Sequence, residues 1–348
     1  MSTESQTAAK ATGPTSEGKP ESPARRITGD MALGFAERYG LVMLLIGLIV
    51  LFSVLPSTSA TFPTSANINT IVGNQSVLAI IALASIIPLL TGEFDLSVAA
   101  ILGVSGVVVA ACTNDLGFPL GLAVVAALAF GLLIGVINGV LVAYVGINSL
   151  IGTLGMTTLL FGVAAAYTAT PIVEIPSQLT RFGSGKWLDL PAMLFVLIVF
   201  AAALYWLLNY TPYGRRLTAI GSSLPAARLV GINVRRVVLS SYMFSGTIAA
   251  AAGVFQIGRS GAADATVGNS FLLPAIAATF LGATTIKPGR FNILGTLVAI
   301  FFLAVAVSGL TLAGLEAWIQ DVFNGLALIV GVGVSALIGK RRRGAETV

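Results

Sequence analysis

Apolar runs about as long as a lipid bilayer is thick recur along most of this 348-residue chain. Inside hydrocarbon no water satisfies the backbone N–H and C=O groups, so segments of roughly 20 apolar residues cross a membrane only as helices. The composition agrees, because 56% of the residues are hydrophobic and only 9% are charged. The sequence therefore predicts an all-α, polytopic membrane protein of about ten transmembrane helices, at 39–58, 71–91, 96–113, 118–143, 148–170, 190–209, 236–258, 271–286, 292–314 and 318–339.

Both ends of the chain lack this apolar pattern. Residues 1–37 are rich in Ser, Thr, Pro, Gly, Lys and Glu, a composition typical of disorder. We therefore expect a disordered cytoplasmic tail over 1–37, a transmembrane domain over 38–340 and a basic cytoplasmic tail over 341–348. The first apolar run is too long for the core of a signal peptide, so we expect it to remain in the membrane as an anchor.

Positive charge is unevenly divided between the two sides that ten spans would create. All of the 19 Lys and Arg residues except Arg181, Lys186 and Arg259 fall on the side that carries both termini. Connections rich in Lys and Arg stay in the cytoplasm. We therefore expect both termini to be cytoplasmic and the chain to be a multi-pass protein of the plasma membrane.

The composition also argues against several kinds of chemistry. With no histidine and a single cysteine, Cys112, a metal site would need carboxylates alone, and these do not cluster. The spacing from Gly13 to Lys19 matches a phosphate-binding loop, but Pro20 stands where Ser or Thr is required. The basic residues lie beside membrane spans rather than along one soluble face, which disfavours nucleic acid. We expect no catalytic, metal-binding or cofactor-binding residues, and therefore no enzyme.

The connection over residues 210–236 is the most charged part of the apolar region. Ser222 or Ser223 is placed to cap a short helix that has Pro225 near its start and ends at Gly231. An amphipathic helix outside the bilayer needs a surface on which to rest, either lipid headgroups or a groove on a cytoplasmic protein. The connection contains five arginines, Arg215, Arg216, Arg228, Arg235 and Arg236.

A second unusual segment, Thr91–Ser97, separates two apolar runs and contains Glu93 and Asp95. Ionisable groups are costly near the hydrocarbon, and such groups default to a functional role. Gly92 is suited to end one helix, while Asp95 or Ser97 is suited to cap the next. Capping alone explains these residues equally well, so both interpretations stay open.

Small residues mark the fourth apolar run. Gly131, Gly135 and Gly139 recur every four residues, a spacing that lets two helix backbones approach closely in lipid. Asn138 lies beside this stripe. We expect it to donate an interhelical hydrogen bond rather than to contact a substrate, because polar groups in lipid need partners.

Four segments, in this order, resemble the permease subunits of ribose-type ABC sugar importers. They are Thr91–Val98 (TGEFDLSV), Ile137–Gly155 (INGVLVAYVGINSLIGTLG), Tyr213–Val234 (YGRRLTAIGSSLPAARLVGINV) and Leu273–Thr296 (LPAIAATFLGATTIKPGRFNILGT). The resemblance covers about residues 39–339. Glu93, Asn148, Ser223 and the turn Leu272–Pro274 depart from the family pattern, which leaves the substrate open among pentoses, hexoses and related polyols or signalling sugars.

The resemblance implies a non-catalytic permease of the bacterial plasma (inner) membrane. Its implied partners are cytoplasmic ABC ATPase subunits that hold the ATP, an extracellular or periplasmic sugar-binding protein, a second permease copy and the lipid bilayer. The residues implied in coupling to the ATPase are Arg215, Arg216, Gly221, Ser222, Ala227, Arg228 and Gly231, on a cytoplasmic coupling helix.

Five further residues are candidates for the substrate path or for a hinge, namely Gly92, Glu93, Asp95, Ser97 and Asn138. An alternative is an ion-coupled secondary transporter that uses Glu93 and Asp95 for proton transfer. Because the sequence contains few other intramembrane acids, we favour the ATP-driven importer.

Overall fold

The computed structural model describes residues 23–316 and 318–345, with side chains described over 38–316 and 318–334. The chain divides into two units, Met1–Ala36 and Glu37–Val348. The helices are α1 (Pro23–Val54), α2 (Ser65–Leu89), α3 (Val98–Asn114), α4 (Leu120–Val140), α5 (Ser149–Tyr167), α6 (Ser177–Ser184), α7 (Ala192–Tyr210), α8 (Pro212–Ser222), α9 (Leu224–Leu229), α10 (Val234–Ser260), α11 (Asn269–Gly282), α12 (Ile293–Leu312) and α13 (Trp318–Ala345).

Four short elements complete the described structure. A π-helical turn at Leu141–Val145 extends α4, and a 3-10 turn at Ala265–Gly268 precedes α11. Two short strands, β1 (Lys186–Trp187) and β2 (Leu190–Pro191), pair as an antiparallel hairpin between α6 and α7. The predicted all-α class is therefore confirmed.

The ten apolar runs of the sequence lie on ten of these helices. Seven helices of the described chain are long and apolar enough to cross a membrane: α2, α4 with its π-helical turn, α5, α7, α10, α11 with its 3-10 turn, and α12. Three shorter apolar helices lie at Arg38–Val54, Val98–Asn114 and Trp318–Val334. The protein is thus polytopic, while the count of ten spans stays a prediction.

The start of the chain falls only partly within the described residues. Helix α1 begins at Pro23, inside the segment for which the composition predicts a disordered tail. The prediction for residues 1–22 lies outside the described residues, as does the end of the basic tail at 346–348.

Helix α10 forms the centre of the second unit, where it packs against α2, α3, α4 and α6. The glycine stripe of α4 faces it directly. A Cβ added at Gly131 would overlap Gly246, and one added at Gly135 would overlap the carbonyl oxygen of Tyr242. Because the missing side chains let the two backbones approach, the predicted packing role of the stripe is confirmed.

We predict that Gly135→Val lowers the thermal stability of the purified protein, because the new side chain would meet the α10 backbone. Overpacking of this kind costs about 1–3 kcal/mol. The measurement is a melting curve in detergent. Gly121→Val is the matched control, since Gly121 is on the same helix and a Cβ added there would have no atom within 4 Å. Equal melting temperatures for the two variants would contradict the prediction.

A helix break inside the bundle as candidate functional site

The connection between α2 and α3, residues 90–97, forms the first helix break. Gly92 has φ +87°, a left-handed conformation that glycine adopts without strain, and α2 ends before it. The side chain of Thr91 turns back, and its hydroxyl donates to the Pro88 carbonyl at 2.7 Å. The backbone N–H of Glu93 donates to the same carbonyl at 3.2 Å. Beyond this turn the chain is not helical until Val98.

Helix α5 supplies hydrogen bonds to the backbone of the first helix break. The N–H of Phe94 donates to Ser149 Oγ at 3.2 Å, and the N–H of Leu96 donates to Thr153 Oγ1 at 3.1 Å. The Thr157 hydroxyl donates to the Leu96 carbonyl at 3.2 Å. Three hydroxyls one helical turn apart therefore supply the hydrogen bonds that a regular helix would provide, as non-helical backbone inside a helix bundle requires.

Helix α10 holds the other side of the break. The Tyr242 hydroxyl donates to the Phe94 carbonyl at 2.8 Å. Asp95 is 4% exposed, and its Oδ2 accepts a hydrogen bond from Ser245 Oγ at 2.8 Å. Its Oδ1 accepts from the N–H of Ser97 at 3.1 Å and from the Ser97 hydroxyl at 2.6 Å. The carboxylate thus joins the start of α3 to the central helix.

Asn138 extends this network to a third helix. Its Nδ2 donates to Ser97 Oγ at 2.7 Å, which confirms the predicted interhelical bond. Its Oδ1 is buried with no hydrogen-bond partner in the described part of the chain. Of the two residues expected to cap α3, Asp95 accepts from the backbone at its start, whereas Ser97 makes no capping bond. Their role in a substrate path or hinge stays a prediction.

We predict that Asp95→Asn lowers the melting temperature, because an amide offers one acceptor oxygen where the carboxylate oxygens accept three hydrogen bonds. An intramolecular hydrogen bond contributes about 0.5–1.5 kcal/mol to stability. Glu93→Gln is the control, since the described structure contains no side-chain hydrogen bond of Glu93. A melting temperature of Asp95→Asn equal to that of Glu93→Gln would count against the network.

Helices α8 and α9 fill the arginine-rich connection. Thr211 and Ser223 cap them, each accepting from a backbone N–H at 3.4 Å, so Ser223 rather than Ser222 is the cap of the second helix. The side chains of Arg215, Arg216, Ser222 and Arg228 are exposed. Ala227 is 2% exposed and packs inside the chain, so it is not available to a partner. Gly231 has φ +78° and follows the end of α9.

Helix α8 contacts the first helix break. A Cβ added at Gly221 would overlap the carbonyl oxygen of Leu90, so α8 lies directly on the residues where α2 ends. Nearer its start, the ring of Tyr213 lies 5.4 Å from the ring of Phe244, and its hydroxyl accepts from Ser240 Oγ at 3.2 Å. Burial raises the pKa of Tyr213 to about 12, so the phenol is neutral at physiological pH. These contacts connect α8 to α2 and α10.

Leu229 and Val230 are exposed apolar residues that the sequence reasoning missed. They are 89% and 75% exposed at the end of α9. The sequence contained a signal for them, because Leu229 and Val230 are apolar residues at the end of a predicted amphipathic helix outside the bilayer, and such a helix carries its apolar side chains on one face.

A second helix break, residues 261–268, separates α10 from α11. Gly261 has φ +72°, as Gly92 has a positive φ in the first break. Asp264 Oδ1 accepts from the N–H and from the hydroxyl of Thr266, both at 2.8 Å. The pattern Gly-x-x-Asp-x-Ser/Thr therefore occurs twice with the same bonding. Sequence reasoning missed this repeat, which the residue spacing alone reveals.

The two breaks meet at the start of α3. A Cβ added at Gly268 would overlap the carbonyl oxygen of Ala99, and one added at Gly103 would overlap that of Ala265. The 3-10 turn of the second break therefore lies along the first turns of α3, just beyond Ser97. Helix α11, of 14 residues, starts directly after this turn.

A polar cavity of about 570 Å³ lies between α2, α10, α11, α12 and α13. Sequence reasoning missed it as well. The sequence of α2 contained a signal for this cavity. Asn67, Thr70 and Asn74 are polar residues at helical spacing, so they share one face of an otherwise apolar helix. Within the described residues, no group of three His, Cys, Asp or Glu side chains could hold a metal ion.

A bundle of apolar helices with two polar breaks and a polar cavity is the architecture of a polytopic membrane protein. The chain belongs to the family described as branched-chain amino acid transport system / permease component, whose model matches residues 67–332. The predicted resemblance to permeases of ribose-type ABC sugar importers is confirmed by individual relatives.

Three relatives illustrate that similarity. The ribose import permease protein RbsC of Escherichia coli K12 is 35% identical, over 83% of this chain and 91% of its own length. The fructose import permease protein FrcC of Rhizobium meliloti is 31% identical, over 86% and 85%. The autoinducer 2 import system permease protein LsrC of Photorhabdus laumondii is 28% identical, over 82% and 86%. No solved structure matches the chain.

Proposed function

We propose that the chain is the membrane-spanning subunit of an ATP-driven importer for a monosaccharide or a related polyol. The relatives named for import of ribose, fructose and autoinducer 2 support this class of substrate. ATP is bound by separate cytoplasmic ATPase subunits, and this chain performs no catalysis. An external sugar-binding protein delivers the ligand, and a second permease copy completes the path.

The observation that carries the proposal is the contact of α8 with the end of α2. Gly221 lies against the Leu90 carbonyl, one residue before Thr91 and two before the left-handed Gly92. A displacement of α8 and α9 by a closing ATPase would therefore act on the first helix break without any intermediate element. Coupling of this kind needs a bundle with two discrete packings, and a break held by side-chain hydrogen bonds is suited to switch between them.

The exposed end of α9 is suited to enter a groove on the ATPase. Leu229 and Val230 present apolar surface, and Arg228 places a positive charge beside it. Such a helix-in-groove contact buries the apolar face and uses the charge to select the partner. Arg235 lies over the Tyr144 ring at 5.9 Å, so it belongs to the chain's own packing rather than to this surface.

The positive residues support an orientation with α8 and α9 in the cytoplasm. Lys287, whose Nζ donates to Asn209 Oδ1 at 2.8 Å, lies at the same end of the bundle as the end of α7. Connections rich in Lys and Arg remain on the cytoplasmic side. In this orientation both termini are cytoplasmic, and the second helix break is reached from outside.

We predict that Arg228→Glu uncouples transport from ATP hydrolysis. Reversing a charge at an interface removes attraction and adds repulsion, with an expected loss of uptake of about tenfold or more. Uptake of labelled D-ribose and ATP hydrolysis would be measured in parallel, in proteoliposomes containing the complete transporter. Arg228→Lys, which keeps the charge, should retain most of the uptake. Normal uptake by Arg228→Glu would refute the coupling role.

The ion-coupled alternative has one observation in its favour, the two carboxylates of the first helix break. Both oxygens of Asp95 accept hydrogen bonds from within the chain, from Ser97 and from Ser245, an arrangement that suits a structural role in joining helices. We predict that uptake into vesicles loaded with ATP continues in the presence of a protonophore and stops when ATP is depleted. The opposite result would support the secondary transporter.

A further inference from the structure

The polar cavity between α2, α10, α11, α12 and α13 lies far from α8 and α9. Its α10 residues are Gln256, Arg259 and Ser260, at the C-terminal end of a helix of 27 residues. Helices rise about 1.5 Å per residue, so roughly 40 Å of helix separate the cavity from the start of α10. In the proposed orientation the cavity therefore opens on the outer side, where an imported ligand arrives.

The lining of the cavity is rich in side chains that both donate and accept hydrogen bonds. Six amides contribute, on three different helices: Asn67, Asn74, Gln75, Gln256, Gln320 and Asn324. Phe271 adds an aromatic face, and the described residues of the lining include no acidic side chain. Each hydroxyl of a polyol donates one hydrogen bond and accepts others, so amides are suitable partners for a hydroxylated ligand.

Arg259 is the single charged residue among the described residues of this lining, and its position is fixed by two features of α2. Its Nε donates to Asn74 Oδ1 at 2.8 Å. Its guanidinium lies over Gly73, where a Cβ would come within 2.7 Å of Cζ and of both terminal nitrogens. The guanidinium is therefore seated in a space that only glycine leaves open.

The terminal nitrogens of Arg259 are free to bind a ligand. In the described part of the chain, neither of them makes a hydrogen bond or an ion pair. A guanidinium presents parallel N–H groups that fit two adjacent oxygen atoms. Asn324, on α13, is 8% exposed and likewise has no side-chain hydrogen bond among the described residues. Both side chains line the cavity, so their polar atoms without a protein partner are available to a ligand.

We propose that this cavity binds a polyhydroxylated ligand, with Arg259 donating to two adjacent oxygens of a vicinal diol or of a sugar carboxylate. The volume of about 570 Å³ lies within the range of roughly 300–1,000 Å³ that small-molecule sites occupy. The proposal rests on the proposed function for the identity of the ligand as an imported sugar or polyol. The site itself is formed by residues of this chain alone.

Protection of an introduced thiol from chemical modification tests the site directly. The chain has one cysteine, the buried Cys112, so a Cys112→Ala background removes competing thiols. Ser270→Cys places a thiol in the cavity lining, and Thr311→Cys places one at an exposed position outside it. Both full-length variants would be purified in detergent and reacted with a methanethiosulfonate, with D-ribose, D-fructose or D-gluconate present at increasing concentrations.

We expect at least one of the three probes to slow modification of Ser270→Cys and none to slow modification of Thr311→Cys. Arg259→Gln, added to the Ser270→Cys chain, should raise the half-protecting concentration about tenfold, the effect of losing one hydrogen bond to a charged group. Arg259→Lys keeps the charge but loses the planar fork. It should weaken protection by a neutral sugar as much as Arg259→Gln does, but it should weaken protection by gluconate less. The difference shows whether the two oxygens bound by Arg259 belong to a vicinal diol or to a carboxylate.

A second variant, Asn324→Leu, tests the site independently of Arg259. It replaces an amide of the lining, on α13, with an apolar side chain of similar size. It should also weaken protection. Absence of protection by every probe, or protection unchanged in both Arg259→Gln and Asn324→Leu, would overturn the site. If uptake requires ATP but no probe protects the thiol, the proposed site is wrong and the importer function stands. If a probe protects the thiol but uptake does not depend on ATP, the site stands and the importer function is wrong.

Discussion

The structure depends on a constraint that lipid imposes, namely that a backbone polar group without a partner inside the hydrocarbon is too costly to keep. A regular helix satisfies this constraint with its own backbone hydrogen bonds, whereas the backbone of the first helix break needs partners from other helices. Its N–H and C=O groups are met by hydroxyls of Ser149, Thr153 and Thr157 on one side and of Tyr242 on the other. The identity of these four side chains therefore determines that an irregular segment can exist within the bundle.

Asp95 gives this segment its connection to the rest of the chain. Its two oxygens accept from Ser97, which starts α3, and from Ser245, which lies on the central helix. The second break repeats the same local design with Asp264 and Thr266, and its 3-10 turn packs along α3. Two short irregular segments thus meet where regular helices would have formed a rigid core. The contact of Gly221 with Leu90 joins helix α8 to the first of these segments.

The polar cavity and the α8–α9 surface lie at opposite ends of α10. One has unpartnered polar groups, as a ligand site requires, and the other has exposed apolar and positive groups, as a protein-docking site requires. The first helix break lies against α8, and the second begins directly after Ser260 of the cavity lining. This arrangement supports the proposal that one end of the chain contacts the ligand and the other end contacts the ATPase, with a helix break next to each.

Local sequence by itself determined the helical class, the places of the apolar helices, the ends at Gly92 and Gly231, and the packing role of the glycine stripe. These properties follow from chain length, hydropathy and the conformations that single residues favour. Only the tertiary structure decided that Ser245 meets Asp95, that Ala227 is buried, and that polar residues of five helices enclose a cavity. The reason is physical: a helix such as α7 is apolar along nearly its whole length, so its sequence does not mark which face meets protein and which meets lipid. That choice comes from long-range packing, which brings together residues as distant as Gly73 and Arg259.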